Sequence, residues 1–109
     1  MRSEANSLIK KYGQTVSIKK TSSSDPEIAK AFIQPLRSDY QSNLYGDYIE
    51  TEGTEQFLYI GLPDYKLSDY PNTTRIIFSN QSYVIKKAEN VYFGESVLYV
   101  RAVLEKDSQ

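Results

Sequence analysis

The sequence predicts a mainly β protein, a small antiparallel β-barrel or sandwich of roughly six to seven strands behind a short N-terminal helix. Short runs of β-branched and aromatic residues recur along the chain at roughly even spacing, with turn-forming residues between them. The last two runs, residues 83–92 and 96–104, are long and flank the break Phe93-Gly94-Glu95. A lone hairpin is unstable in water, so we expect the rest of the chain to cover it, and closure of the sheet to protect the strand edges.

The N-terminal helix is predicted over residues 3–12. Ser3 is placed to cap it, and Gly13 is placed to end it. The apolar residues of the segment lie on or near one face, and Lys10 and Lys11 fall in the last turn, where cations suit the helix dipole. The helix could dock another molecule or simply pack on the sheet, and the sequence leaves both open.

The first strands follow the helix. Residues 15–20 alternate between apolar and polar, which is typical of a half-buried strand, and residues 28–36 form a second run. Pro35 cannot donate a backbone hydrogen bond, so we expect it at an edge or at the exit of this strand. Residues 21–26 between the two strands are predicted to be a polar loop.

The whole chain, residues 1–109, is predicted to form a single domain. We expect the helix at residues 1–13, the barrel at residues 14–104 and a polar tail at residues 105–109. Within the barrel the predicted segments are a loop at 37–46 with a helical turn at 39–45, a strand at 47–51, a turn at 52–55, a strand at 56–61, a connection at 62–74, a strand at 75–78 and a turn at 79–82.

Two residue types that carry much of enzyme chemistry are absent, because the sequence contains neither Cys nor His. Their absence excludes disulfides, thiolate nucleophiles, sulfur-ligated zinc, a Ser-His-Asp triad and His metal ligands. Carboxylate pairs, Lys or Tyr could still do acid–base work, but we expect no catalytic residue, no metal site, no cofactor and no enzymatic activity. The sequence also shows no secretory signal and no run near the roughly 18 apolar residues of a membrane span, which predicts an intracellular protein without a membrane partner.

The charges are unevenly spread, although the net charge is only -1. Residues 38–70 contain seven acidic residues and a single basic one, whereas residues 1–37 contain seven basic and three acidic residues. The acidic block lacks the spacing of a calcium loop, and a glycosidase dyad would need two of its acids to face each other across a cleft. A solvated acidic loop is the simplest interpretation. An acidic surface that meets a basic patch, or that faces DNA and repels it, is the alternative.

Tyrosine is unusually frequent, with ten residues and no Trp. Tyr buries a large area while keeping a polar tip, which favours it at protein interfaces, but partial burial within the chain explains it equally well. The candidate subunit-interface residues are Tyr65 and Tyr70 in the 62–74 connection and Tyr92 and Phe93 at the end of the long strand.

Five segments carry a family resemblance, in this order: residues 12–18 (YGQTVSI), 30–37 (KAFIQPLR), 57–64 (FLYIGLPD), 83–89 (YVIKKAE) and 98–104 (LYVRAVL). Together they resemble the PBSX-type prophage proteins of the head–tail region, and more distantly the head-closure, or stopper, proteins of long-tailed phages. The resemblance spans nearly the whole chain. Its segments are structural rather than catalytic.

The resemblance implies a small β-barrel that assembles as a ring in the neck of the virion, after synthesis in the cytoplasm of the bacterial host. Its partners would be other copies of itself and the neighbouring head–tail adaptor and tail proteins, with DNA passing nearby but not tightly bound. A loop of the stopper proteins reaches into the channel, and by segment order it corresponds to residues 37–55. The channel-facing candidates are Asp39, Tyr40, Tyr45, Asp47, Tyr48, Glu50, Glu52 and Glu55.

Three other functions stay open at this point. The N-terminal helix is not a firm feature of the stopper proteins, which leaves a tail-completion role. A small barrel can also bind carbohydrate or another small ligand, and a concave pocket lined by Tyr and carboxylates would indicate that class. An enzyme with paired carboxylates would place two acids of the 39–69 block about 5–10 Å apart in a cleft.

Overall fold

The strands close into an antiparallel β-barrel. A computed structural model describes residues 2–36 and 56–107. Its elements are α1 (Arg2–Tyr12), β1 (Gln14–Lys19), β2 (Glu27–Leu36), β3 (Gln56–Gly61), a 3₁₀ turn (Leu67–Asp69), β4 (Arg75–Phe78), β5 (Gln81–Phe93) and β6 (Ser96–Lys106). The mainly β class, the short N-terminal helix and the barrel predicted from the sequence are confirmed.

The barrel is closed by the pairing of strands that are distant in sequence. The six described strands follow each other in the order β1-β2-β3-β6-β5-β4, and β4 pairs with β1 to complete the circle. This last ladder is short and runs from Ser17 opposite Ile77 to Lys19 opposite Arg75. The ladder between β5 and β6 is the longest, from Tyr83 opposite Lys106 to Phe93 opposite Ser96. Closure removes the open edges that a flat sheet of these strands would present.

The core fills the inside of the barrel, because side chains along each strand point alternately inward and outward. Tyr59, Ile18 and Ile76 are among its largest fully buried side chains. At one part of the core, Phe78 and Tyr83 stack with their ring centroids 4.4 Å apart, and Phe57 meets both rings edge-on. A second buried cluster is formed by Leu36, Leu58 and Val103, which lie on the opposite side of their strands from the core.

Two of the hairpins, β4–β5 and β5–β6, turn in two residues each. Ser79 and Asn80 both have positive φ, of 52° and 62°, as the central residues of a type I′ turn require. Gly94 has a φ of 65° at the turn between β5 and β6, where its lack of a Cβ makes this conformation easy. The predicted turn at 79–82 is therefore shorter, because Gln81 and the residue after it belong to β5.

The predicted tail is corrected at its start, since β6 continues to Lys106. Glu105 pairs with Gln56 in the ladder, accepts a hydrogen bond of 3.2 Å from the Gln56 side chain and is nearly buried. The Lys86 ammonium also lies 3.6 Å from the Glu105 carboxylate. Polar residues thus extend the strand because they find polar partners on the outer face of the sheet.

The other boundaries fall close to the prediction. Gly13 ends α1, and its N–H donates a 2.8 Å hydrogen bond to the carbonyl of Ile9. Ser3 lies inside α1 rather than before it. Pro35 pairs with β3 beyond the last β1–β2 pair at Ala31, so it lies where β2 has one described neighbour, as predicted. The predictions for residues 37–55 lie outside the described residues.

Candidate functional site

The β5–β6 hairpin extends beyond the barrel wall, and we call its end, residues 91–99, the arm. β4 pairs with β5 only as far as Val84, and β3 pairs with β6 only from Val100 onward. Within the described part of the chain, the two strands of the arm therefore pair with each other alone. Register shifts at 85/87 and at 91/92 interrupt the ladder, and such bulges increase twist and redirect side chains.

The tip of the arm exposes two aromatic side chains. Tyr92 is 59% exposed and Phe93 is 54% exposed, and both were predicted to lie at a subunit interface. Glu95, next to them in the turn, is also exposed. The arm is held at both ends, because Arg101 and Glu89 form an ion pair across the ladder at its base, and Val97, opposite Tyr92 near the tip, packs against the core. The exposed aromatics thus sit on an anchored support.

A second apolar surface lies on the outer face of α1. Glu4, Ser7, Leu8, Lys11 and Tyr12 follow the spacing of one helix face and line a shallow groove of about 520 Å³, and we call this face the helix stripe. Leu8 is 53% exposed and Tyr12 is 64% exposed, while Ile9, about 100° around the helix from Leu8, is buried. The predicted apolar face of α1 is therefore buried at Ile9 and exposed at Leu8 and Tyr12. This exposure is compatible with the docking role that the sequence leaves open for the helix.

Tyr65 and Tyr70, the other predicted interface residues, are engaged within the chain. The Tyr65 hydroxyl donates to the Ile28 carbonyl at 3.3 Å, and the Tyr70 hydroxyl donates to the Glu27 carboxylate at 2.8 Å. Both rings are half-buried against the core, and the Lys20 ammonium lies 4.6 Å from the centroid of the Tyr70 ring. Burial, together with the hydrogen bond to Glu27, raises the pKa of Tyr70 above its usual range. These two side chains hold the 62–74 connection to the start of β2.

Tyr59 is the most deeply placed of the titratable groups that the structure describes. It is fully buried, and among the described residues its hydroxyl has no hydrogen-bond partner. Burial, and secondarily the proximity of Tyr70 and Tyr65, raises its pKa well above the usual range. A phenol with this pKa stays protonated at neutral pH, so it cannot serve as a base there. The ring instead packs over Gly61, where no side chain competes for the space.

A polar groove of about 500 Å³ lies on the outer surface where β1 meets β4. Lys19 and Arg75 line it together with the hydroxyl residues Thr21 and Thr73. Arg75 donates from Nε to the Asp107 carboxylate at 2.9 Å, and Asp107 also lines the groove. The groove is therefore close to neutral and does not form the basic patch that nucleic-acid binding requires.

All eight predicted channel-facing residues lie outside the described residues, so they are not part of the candidate site. The two remaining acids of the predicted acidic block, Asp64 and Asp69, are both exposed. Across residues 2–36 and 56–107, no group of three or more acidic, His or Cys side chains is placed to hold a metal ion. The helices of the same residues include none that is long and apolar enough to cross a membrane.

The site that the described residues offer is thus a pair of exposed surfaces, the arm tip and the helix stripe, rather than a cleft with reactive groups. Comparison with known proteins adds no relative to guide its interpretation. No protein-family model matches the chain, and neither a curated protein nor a solved structure matches it significantly.

Proposed function

We propose that this chain is a structural subunit of a tailed-phage or prophage neck, a head-closure component that assembles as a ring between the DNA-filled head and the tail. The observation that carries the proposal is the anchored arm with its exposed aromatic tip at Tyr92 and Phe93. Aromatic side chains are enriched where proteins meet, because they bury a large area and keep one polar end. The order of the sequence segments supports the same function through the family resemblance.

The architecture supports assembly by surfaces rather than by exchange of strands. The closed barrel pairs the strands of its wall with one another, so among the described residues the longest strand edges without a partner lie in the β5–β6 hairpin beyond the wall. The exposed aromatics of the arm are not needed to fill the core, since the core is closed by other residues. Apolar side chains that folding does not use are available for association with another molecule.

The chemistry of the chain supports a role without catalysis. Neither His nor Cys is present in the sequence. Several of the partly buried charges form ion pairs, among them Arg75 with Asp107 and Arg101 with Glu89. Tyr59 and Tyr70 are protonated at neutral pH, as ordinary tyrosines are, and their raised pKa values make deprotonation still less accessible. A net charge of -1, with acids concentrated in residues 38–70, suits a protein that DNA passes without tight binding.

The test is reconstitution with the products of the neighbouring genes. Purified protein is mixed with the adaptor ring from the same phage or prophage, and the complex is imaged by electron microscopy. We expect an additional ring of density below the adaptor, with no detectable change in the adaptor itself. Tyr92→Ser/Phe93→Ser is the matched variant, and it should keep the wild-type circular dichroism spectrum and lose the ring. Absence of binding to both the adaptor and the tail would contradict the proposal.

Tail completion is the second candidate, and the exposed stripe on α1 favours it. The helix is held to the barrel through Ile9, which leaves Leu8 and Tyr12 facing outward for a protein partner. The same reconstitution distinguishes the two functions. A head-closure subunit joins the adaptor ring before any tail is present, whereas a tail-completion subunit joins the end of a finished tail and ignores the adaptor.

A further inference from the structure

We propose that the arm tip of one copy docks on the helix stripe of the next copy. The tip contributes Tyr92, Phe93 and Glu95, and the stripe contributes Leu8, Lys11 and Tyr12. This inference rests on the proposed function, since it names the two surfaces through which the subunits of the ring would meet.

The first argument is exposure. Every large apolar side chain of the two surfaces is more than half exposed: Tyr92 and Phe93 at the tip, and Leu8 and Tyr12 on the stripe. If the tip covered the stripe of its own chain, these side chains would be buried. Both surfaces are therefore exposed in a single copy, where a second copy can cover them.

The second argument is the match of shape and chemistry. The stripe is a groove of about 520 Å³ with apolar walls at Leu8 and Tyr12, and a projecting Phe93 ring is the complementary form. The Lys11 ammonium lies 5.4 Å from the centroid of the Tyr12 ring, so a positive charge stands at the apolar wall, while the acidic Glu4 of the stripe lies about two helical turns away. Glu95 follows Phe93 by two residues in the turn and brings a negative charge beside it. Opposite charges next to an apolar contact fix the orientation of docking.

The third argument is the symmetry of the result. The tip and the stripe are different surfaces, so each copy carries one of each. A contact between unlike surfaces is heterologous, and it generates a ring where the rotation closes. A contact of the tip with another tip, or of the stripe with another stripe, would instead stop at a dimer.

The absence of Cys in the wild-type chain allows a clean crosslinking test. Leu8→Cys and Phe93→Cys are made as separate proteins, mixed with the adaptor ring and oxidised. We expect disulfide-linked pairs that contain one copy of each variant. Ser22→Cys, in the exposed loop after β1, replaces either variant in the control mixtures, which should give several-fold fewer pairs. Pairs formed only by one variant with itself, or an equal yield in the controls, would overturn the inference.

Charge reversal supplies an independent readout that does not depend on oxidation. Lys11→Glu and Glu95→Lys should each weaken self-association by about twofold to fivefold, as expected for one exposed ion pair. The double variant Lys11→Glu/Glu95→Lys should recover most of the loss, because the pair is restored with its signs exchanged. A double variant as weak as the sum of the two single variants would show that the two residues do not meet.

The two proposals can fail separately. If the wild-type protein joins the adaptor ring while the crosslinks and the charge exchange are negative, the docking surfaces are wrong and the function stands. If the wild-type protein joins neither the adaptor nor the tail, the proposed function itself is wrong.

Discussion

Replacing Gly61 by Ala tests how tightly the inside of the barrel is packed. A methyl group at this position would lie 2.5 Å from the Tyr59 hydroxyl oxygen and 2.7 Å from two carbons of the same ring. These distances are below van der Waals contact, so the Tyr59 ring would have to move. Since Tyr59 is fully buried among other core side chains, it has no open space to move into.

The expected magnitude follows from two opposing effects. Overpacking of a core costs about 1–3 kcal/mol. Replacing a strand glycine by Ala returns about 0.5–1 kcal/mol, because the unfolded chain loses conformational freedom. We therefore expect the free energy of unfolding to fall by about 1–2 kcal/mol, with the overpacking effect dominant. Urea unfolding followed by circular dichroism measures this change as a lower midpoint at an unchanged slope.

The control is the same substitution in a Tyr59→Leu background, where the ring that causes the clash is absent. There, Gly61→Ala should cost less than in the wild-type chain, and the difference is the coupling energy between the two positions. If Gly61→Ala leaves the wild-type midpoint unchanged, or costs the same in both backgrounds, the packing described for Tyr59 and Gly61 is incorrect.

Three further predictions concern stability. Tyr59→Phe should leave the free energy of unfolding unchanged or raise it slightly. Removing a buried hydroxyl without a described partner relieves a cost of about 1–3 kcal/mol, and the small void that it leaves offsets part of this gain. A loss above about 1 kcal/mol in urea unfolding would contradict this. The free energy of unfolding should keep its full value below the usual tyrosine pKa of about 10 and fall as the pH rises above it. The reason is that the tyrosines of the unfolded chain then lose protons that Tyr59 and Tyr70 retain in the folded chain. A urea midpoint that does not change from pH 9 to pH 11 would count against this. Gly13→Ala should lower the thermal midpoint measured by calorimetry, because the added Cβ would lie 2.5 Å from the Ile9 carbonyl oxygen and 3.0 Å from the Ala31 backbone nitrogen; an unchanged midpoint would show that the end of α1 can relax.

Sequence patterns predict the strands of this protein well because their signals are local. Alternation marks β1, and the residues of the two short turns, Ser79-Asn80 and Gly94-Glu95, mark the hairpins. The end of β6 is not predictable in this way. From the sequence alone, Glu105 is assigned to a polar tail. In the fold it pairs with Gln56, which lies 49 residues earlier in the chain. Partners that are distant in sequence decide whether a polar residue belongs to a strand.

The candidate site is predicted only in part, for the same reason. Tyr92 and Phe93 follow from their place at the end of a long strand, and they lie at the exposed tip. Tyr65 and Tyr70 have the same composition signal, yet their hydroxyls bind residues 28 and 27, which only the fold brings near. The arm itself depends on where β3 and β4 stop pairing, and no local pattern in β5 or β6 reveals that.

The short ladder between β1 and β4 determines where the barrel opens transiently. It joins only three residue pairs, from Ser17 to Lys19 on one side and from Arg75 to Ile77 on the other. Local opening begins where the fewest backbone hydrogen bonds must break together. The amide protons of this seam should therefore exchange with solvent before those of the β5–β6 ladder. Each opening briefly turns a closed cylinder into a curved sheet with two free borders. In a subunit held between two neighbouring subunits, this opening would be suppressed.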